Sequence, residues 1–306
     1  MTKIYNRAYL GDKIVSLEQA NLSIASSAVL YGLSVYTVFP VIVTKAGPAA
    51  FRLEDHFERL LNSAKIIGLD TFAPAWSFER FEESVKELVK VNDLHENVFI
   101  RATVHVSELV PGTRSRGLET ILSMFIYEAK PIISQTGARL KTSVWRRVPD
   151  YAIPSRAKVN GAYVNSVLGK QDALDSGYDD CLFLDTNGHV CELSAANIFI
   201  VRDGILITPS QSSDILEGIN RKTVLELAGE MNIKTVERLV DLTEVYIADE
   251  VFACGTSSFI APIVEIDGRS IGLEKIGHLT GKIKNKYEQI FRGESVDHHR
   301  WLTIFN

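Results

Sequence analysis

Cysteine is scarce in this chain: Cys181, Cys191 and Cys254 are the only three in 306 residues. So few and so scattered, they suit neither a disulfide framework nor a zinc site, and a reducing cytoplasm is the expected compartment. Long apolar runs are missing as well. Nothing approaches the roughly 18 residues of a membrane span. The opening Met1-Thr2-Lys3-Ile4-Tyr5-Asn6-Arg7 lacks the apolar stretch of a signal peptide. There is no excess of positive charge. The 33 basic residues stand against 38 acidic ones, a formal net charge of −5, which argues against a nucleic-acid partner. Gly-x-Gly-x-x-Gly, P-loop and Gly-x-Ser-x-Gly patterns are absent, so nucleotide binding and an α/β-hydrolase elbow have no support. His298 and His299, beside Asp297, have no further ligand cluster near them in sequence. They read as a solvated C-terminal turn, and no metal is expected.

What remains is an ordinary globular balance, 46% hydrophobic and 23% charged. Short strands are expected at 3–6 and 14–16, around a Gly11-Asp12 turn. Phe57, Leu60, Leu61, Ala64 and Ile67 recur at helical spacing over 55–67. A second helix follows Ser77, a plausible N-cap, with Phe78, Phe81, Val85, Leu88 and Val89 on one face. Strands are predicted at 97–106, 122–127 and 138–148. A helix is predicted at 163–175. Thr186-Asn187-Gly188 and Asp203-Gly204 each separate two short apolar runs, which predicts two hairpins. Helices close the pattern at 219–231 and 275–291. The apolar stretch Trp301–Phe305 is expected to pack onto the body of the molecule or onto a partner. Strands grouped in hairpins, with helices outside them, imply an α+β chain in two parts rather than a doubly wound sheet. The expected division is a domain at 1–127, a linker at 128–137 containing Pro131, Ser134 and Gly137, and a domain at 138–306.

The densest motif is Glu192-Leu193-Ser194-Ala195-Ala196-Asn197-Ile198-Phe199. The hairpin Val201–Thr208 follows it, and then Leu216-Glu217-Gly218-Ile219-Asn220-Arg221 opens a helix. A carboxylate, an Asn-apolar-aromatic strand, a Leu-x-Thr strand and a Gly-apolar-x-Arg helix start therefore appear in fixed order. This pattern resembles the signature of the class IV pyridoxal-phosphate aminotransferases. The resemblance extends over almost the whole chain, through Tyr31-Gly32, Arg59, Phe99-Ile100-Arg101, Lys158 and Gly255-Thr256. Within the class the layout is most similar to the branched-chain amino-acid aminotransferases. Phe51-Arg52, Arg59-Leu60, Ser63-Ala64-Lys65 and Ala248-Asp249-Glu250-Val251-Phe252 carry that likeness. It implies the fold of type IV pyridoxal-phosphate enzymes: a small N-terminal α/β domain, a larger, β-rich C-terminal domain with helices, cofactor between them, and a cytoplasmic homodimer whose partner loops help close the pocket. Its implied substrates are small molecules, an amino donor and a keto-acid acceptor.

Pyridoxal 5'-phosphate needs a lysine amine, an acid near its pyridine nitrogen, a phosphate cradle and a group to hold its phenolic oxygen. By resemblance Lys158 is the catalytic lysine, joined to the cofactor, and Tyr163, five residues on, holds the phenolic oxygen. A lysine alone would read as surface charge; its place upstream of Glu192 decides otherwise. Glu192 pairs with the pyridine nitrogen. Gly218, Ile219 and Asn220 offer backbone N–H groups at a helix start, which suits a dianion. Arg59 matches the phosphate-binding arginine, with His56 one turn before it. Thr256, in a Gly-Thr-Ser-Ser stretch that alone would be a polar turn, adds a hydroxyl. Tyr31, Tyr36, Val38, Phe99, Arg101, Tyr127, Thr256 and Ser257 are the candidate substrate-binding residues.

The likeness breaks in that last group. Branched-chain enzymes read Phe-Glu-Gly-apolar-basic where this chain has Tyr36-Thr37-Val38-Phe39-Pro40. Val38 removes space and Pro40 removes a charge. Phe99 replaces a tyrosine hydroxyl. Arg101 is retained; it reads either as a bidentate carboxylate site for the glutamate/2-oxoglutarate pair or as a surface arginine on a strand. The leading expectation is transamination between a branched-chain amino acid and 2-oxoglutarate. The alternatives are an (R)-selective amine or D-amino-acid transaminase, an aminodeoxychorismate lyase on the same fold, or a non-catalytic relative.

Overall fold

The computed structural model describes residues 2–109, 112–273 and 275–305. The chain forms two compact units. The first comprises Met1–Ala129, Ala157–Gly161 and Ile290–Asn306, and the second Lys130–Arg156 and Ala162–Gln289. The short lysine segment is thus counted with the first unit, although its neighbours in sequence belong to the second.

The first unit is built on strands β1 (Arg7–Leu10), β2 (Lys13–Ser16), β3 (Ser34–Thr44), β4 (Gly47–Phe51), β5 (Val98–Val106) and β6 (Thr120–Glu128), with helices α1 (Ser27–Tyr31), α2 (Leu53–Ile66), α3 (Phe72–Ala75) and α4 (Phe78–Asn92). Its sheet runs C-terminal strand (Leu302–Ile304), β4, β3, β5, β6, β1, β2, antiparallel throughout. Alternation sorts the side chains. Val35, Phe39 and Val41 of β3 share a core with Val98, Ile100 and Val104 of β5 and with Phe57, Leu60, Phe81 and Val85 of α2 and α4. Phe57 stacks on Phe81 with ring centroids 4.9 Å apart. The intervening residues, Tyr36, Val38, Phe99 and Arg101 among them, occupy the opposite face. Ser77 caps α4 as expected, its side chain accepting from the Arg80 N–H at 3.3 Å.

Two expectations need correction here. No strand runs over 3–6; Ile4 makes an isolated bridge to Tyr127, and the strand is Arg7–Leu10. The Gly11-Asp12 turn is the reason. A two-residue hairpin pairs Leu10 with Lys13, so the strand must run right up to the turn. His298 is not in a solvated turn. It is 2% exposed, in a 3-10 turn over Val296–Trp301, with Nδ1 2.8 Å from Ser295 Oγ and its ring 4.3 Å from that of Trp301. Trp301 lies under the Arg52 guanidinium at 3.8 Å. That contact, with the Arg52–Asp55 ion pair at 3.1 Å, supports the left-handed backbone of Arg52 (φ 52°) at the start of α2.

The second unit contains β7 (Ala138–Arg146), α5 (Tyr163–Asp175), β8 (Asp180–Leu184), β9 (Val190–Leu193), β10 (Asn197–Arg202), β11 (Ile205–Pro209), α6 (Ile219–Glu230), β12 (Thr235–Arg238), α7 (Leu242–Tyr246), β13 (Glu250–Gly255), β14 (Phe259–Ile266) and β15 (Arg269–Ser270), and α8 (His278–Phe291) begins in it. Its sheet is mixed, with parallel pairings β11–β12, β14–β7 and β7–β8. One further pairing, Glu192 with Asn197, joins β9 back to β10. That contact closes β10, β13, β14, β7, β8 and β9 into a ring around Leu140, Leu182, Ile198, Ala253, Ala261 and Ile263. The three cysteines are buried and free; burial pushes all three thiols up, Cys254 to about 12. No helix of the described residues is long and apolar enough to cross a membrane.

Candidate active site

In the second unit the motif 192–197 is itself the ring closure. The Leu193 N–H donates to the Ala196 carbonyl at 2.8 Å, a tight turn. The turn sets Glu192 opposite Asn197 in register, so both side chains lie on one face. Asn197 Nδ2 donates to Glu192 Oε2 at 3.0 Å and to the Leu216 carbonyl at 2.9 Å. The Leu216 N–H also donates to Oε2, at 3.2 Å. Arg147 Nη2 stands 2.9 Å from Oε1. Each of these partners donates, so the carboxylate is the form they hold. Glu192 is 6% exposed. Burying a charge at that depth costs several kcal/mol unless it is paired and hydrogen-bonded, and both conditions are met.

Gly218 precedes α6 because nothing larger fits: a Cβ there would lie 2.1 Å from Asn197 Oδ1. Its backbone is extended and no side chain caps the helix, so the first amides of α6, from Ile219 and Asn220, point out of the helix end. Asn220 Nδ2 donates to the Gly255 carbonyl at 2.8 Å and to Tyr287 Oη at 3.0 Å. The first of these bonds ties the turn carrying Thr256 and Ser257 to the same helix end. Arg221, the last residue of the signature, is structural: its Nη2 donates to the Pro209 carbonyl at 2.9 Å and pairs with Glu237. Tyr163 opens α5, half-buried.

In the first unit the lysine segment lies along the edge of β3 left open where pairing to β4 begins only at Val41. The Tyr36 N–H donates to the Lys158 carbonyl at 3.0 Å, and the Asn160 N–H to the Ser34 carbonyl at 3.0 Å. The Lys158 N–H donates to Ser63 Oγ at 3.1 Å, and that hydroxyl donates to the Arg59 carbonyl at 2.7 Å. A glycine permits the approach: a Cβ on Gly32 would sit 2.9 Å from Gly161 Cα. Lys158 Nζ lies 4.8 Å above the centre of the Tyr36 ring. Arg59 Nη2 donates to Thr37 Oγ1 at 3.3 Å, which is 2.7 Å from His56 Nδ1. Burial, then the charges of Arg59, Lys158 and Arg52, hold the His56 imidazole well below its ordinary range, so it is neutral.

Five of the candidate substrate residues share one sheet face. Val38 is opposite Arg101 and Pro40 opposite Phe99 in the β3–β5 register, and Phe99 is opposite Tyr127 in the next. The Arg101 guanidinium lies 3.6 Å over the Tyr36 ring. Tyr31, at the end of α1, is 50% exposed. Arg147, Asn197, Ser63, Thr37 and Asn160 were not among the residues singled out from the sequence for the site. Asn197, Ser63 and Thr37 lie within the stretches that carry the family likeness or depart from it; Arg147 and Asn160 reach Glu192 and Arg101 across long sequence separations.

A family model for class IV amino-transferases matches residues 34–266. A probable branched-chain-amino-acid aminotransferase of Aquifex aeolicus is 36% identical over 97% of this chain and 96% of its own length. The branched-chain aminotransferase of Thermoproteus uzoniensis, solved with norvaline, superposes with a TM-score of 0.94 at 34% identity, covering 99% of this chain and 100% of that one. The branched-chain amino acid aminotransferase of Escherichia coli gives a TM-score of 0.93 at 30% identity, covering 99% of this chain and 100% of that one.

Proposed function

Because the chain belongs to the class IV aminotransferases, we propose that it moves an amino group from a branched-chain amino acid to 2-oxoglutarate, with pyridoxal 5'-phosphate as cofactor. The residues present fit that group. Arg59 stands with Arg52 and Lys158 around the His56 imidazole, which burial chiefly, and then these three charges, keep neutral; a cluster of cations suits a phosphate. The uncapped start of α6 is a second such feature. Arg59, Ile219, Asn220 and Thr256 would hold the phosphate, Tyr163 the phenolic oxygen and Glu192 the pyridine nitrogen.

When bound, the cofactor supplies a carbonyl that captures amines and a ring that accepts the electron pair released at the substrate α-carbon. The protein's residues do the rest. Lys158 Nζ would hold the cofactor and, when free, would take the proton from the substrate α-carbon as general base. Its backbone is pinned by hydrogen bonds at both its N–H and its carbonyl, so proton transfer requires motion of the side chain alone. That fixed mount is the observation that carries the proposal. Glu192, held as a carboxylate by Arg147, Asn197 and the Leu216 amide, would keep the ring nitrogen protonated. Arg101 would bind a carboxylate of the acceptor.

Lys158→Ala is expected to lower the transamination rate at least about a thousandfold; near wild-type turnover in that variant would falsify the assignment. A second reading is favoured by Val38, Pro40 and Phe99 lying side by side on the sheet face: an (R)-selective amine or D-amino-acid transaminase. A panel of L-branched-chain amino acids, D-amino acids and (R)-1-phenylethylamine against one keto acid separates the two. A cytoplasmic homodimer belongs to the same proposal. Ile24, Val29, Leu30 and Tyr31, each at least 49% exposed, offer an apolar surface for the second copy.

A further inference from the structure

We propose that Asn160 is a specificity-determining positioning residue: it fixes the Arg101 guanidinium beside the lysine so that the protein reads a second carboxylate on its ligand. The inference rests on the transaminase reading above only in naming that ligand a substrate.

Asn160 lies two residues beyond Lys158 and is held at three points. Its N–H donates to the Ser34 carbonyl at 3.0 Å. Its Nδ2 lies 2.8 Å from Ser34 Oγ. Its Oδ1 accepts from Arg101 Nη2. The amide orientation follows from chemistry: a guanidinium only donates, so the group facing it must be the oxygen, and the nitrogen is left for the serine. Arg101 is then held at its edge by Asn160 and on its face by Tyr36, 3.6 Å away. Tyr36 in turn donates its N–H to the Lys158 carbonyl and lies under the Lys158 amine. The arginine, the tyrosine and the lysine segment thus form one connected unit.

Both of these partners of Arg101 are neutral. They fix its position without compensating its charge. None of the described β3, β5 or β6 residues that share its sheet face is acidic. Its one titratable neighbour along β5 on that face, His105, bonds to Ser123 at 2.8 Å; burial and the charge of Arg101 hold its pKa at about 4, so it is neutral too. Lys158 Nζ lies 4.8 Å from the centre of the same Tyr36 ring. A fixed fork of N–H donors, with no acid among the described residues of its sheet face on β3, β5 and β6, is complementary to an anion, and a planar carboxylate matches its geometry. Because the guanidinium is restrained before the ligand arrives, little freedom is lost on binding. Removing Asn160 returns that freedom; a carboxylate in its place would hold the guanidinium and cancel its charge.

The test is titration calorimetry on the cofactor-loaded protein with glutarate and with pentanoate, which has the same length but one carboxylate. The wild-type protein should prefer glutarate, and both Asn160→Ala and Asn160→Asp should reduce that preference at least about tenfold. In parallel, the ratio of kcat/KM for 2-oxoglutarate to that for 2-oxobutanoate should fall by a similar factor. Equal weakening of both ligands would make Asn160 merely structural and overturn the inference, as would a wild-type protein indifferent to the second carboxylate. If Asn160→Ala does not fold, the near-isosteric Asn160→Asp decides. A protein that binds glutarate through Asn160 but transfers no amino group would sink the transaminase reading and leave this inference standing.

Discussion

The two units treat charge in opposite ways. In the second, the key ion is an anion answered from within its own unit: Glu192 is met by Arg147, Asn197 and a backbone amide. In the first, Arg101 is fixed by an amide oxygen and an aromatic face, neither of them charged. Glu192 is answered as the second unit folds; Arg101, in the first, is held in place by neutral groups. The sequence divides in the same way. The family motif from Glu192 to Arg221 lies in the second unit, and the departures Val38, Pro40 and Phe99 lie in the first.

The sharpest way to break this contrast is to remove the second unit's compensation. Arg147→Met would strand the Glu192 charge, with side chains that are 12% and 8% exposed. Taking one partner from a buried pair costs about 3–5 kcal/mol, measurable by denaturant unfolding of the cofactor-free protein. The double variant Arg147→Met with Glu192→Gln should recover a good part of that loss, because no uncompensated charge remains. A loss below about 1 kcal/mol in the single variant would show that the carboxylate does not depend on the guanidinium.

Acid should expose the other half of the contrast. His56 and His105, both in the first unit, are held below the ordinary histidine range, chiefly by burial. A depressed pKa means that the unfolded chain binds more protons than the folded one below about pH 6.5. Their stabilisation is therefore complete above that pH and lost as pH falls. For His105, with a pKa of about 4, the loss amounts to roughly 2 kcal/mol between pH 6.5 and 5, at 1.36 kcal/mol per unit. Melting curves of the wild type and of His105→Gln at pH 7.5 and 5 test this. If the variant falls by the same amount as the wild type, His105 is not the group that titrates.

Much of this was legible in the sequence, for identifiable reasons. Helix α4 has both a five-residue apolar face and a serine that caps it. Asp203-Gly204 announces its hairpin because both residues adopt positive φ, 51° and 72°, which that dipeptide tolerates. The motif residues were legible as a cluster because the ring-closing turn keeps Glu192 and Asn197 five positions apart. Arg147 was not, since it lies far from Glu192 in sequence and reaches it through the pairing of β7 and β8. Pro40 hid the length of β3. Proline disfavours a central strand, yet β3 passes through it, because pairing with β4 starts one residue later. The burial of His298 depends on Ser295 and Trp301, contacts that adjacent histidines do not advertise.

The smallest expected effect concerns the departure that sits beside the carboxylate-reading group. Val38 is directly opposite Arg101 in the β3–β5 register, where cross-strand Cβ atoms approach to about 5 Å. The residue is 8% exposed, and its branch takes up space on the face that also carries Phe99. Val38→Gly would open that space at a cost to strand stability of about 1 kcal/mol from backbone freedom, plus the packing lost. The gain or loss of a methylene-sized volume in an apolar pocket changes discrimination by about 1–3 kcal/mol. The expectation is a shift of about tenfold in kcat/KM toward bulkier amino donors, read as the ratio for leucine over 2-aminobutyrate. Recognition of the acceptor should change less, because Arg101 remains fixed by Tyr36 and Asn160. If the donor ratio stays constant while 2-oxoglutarate binding collapses, Val38 belongs to the support of Arg101 and does not limit donor size.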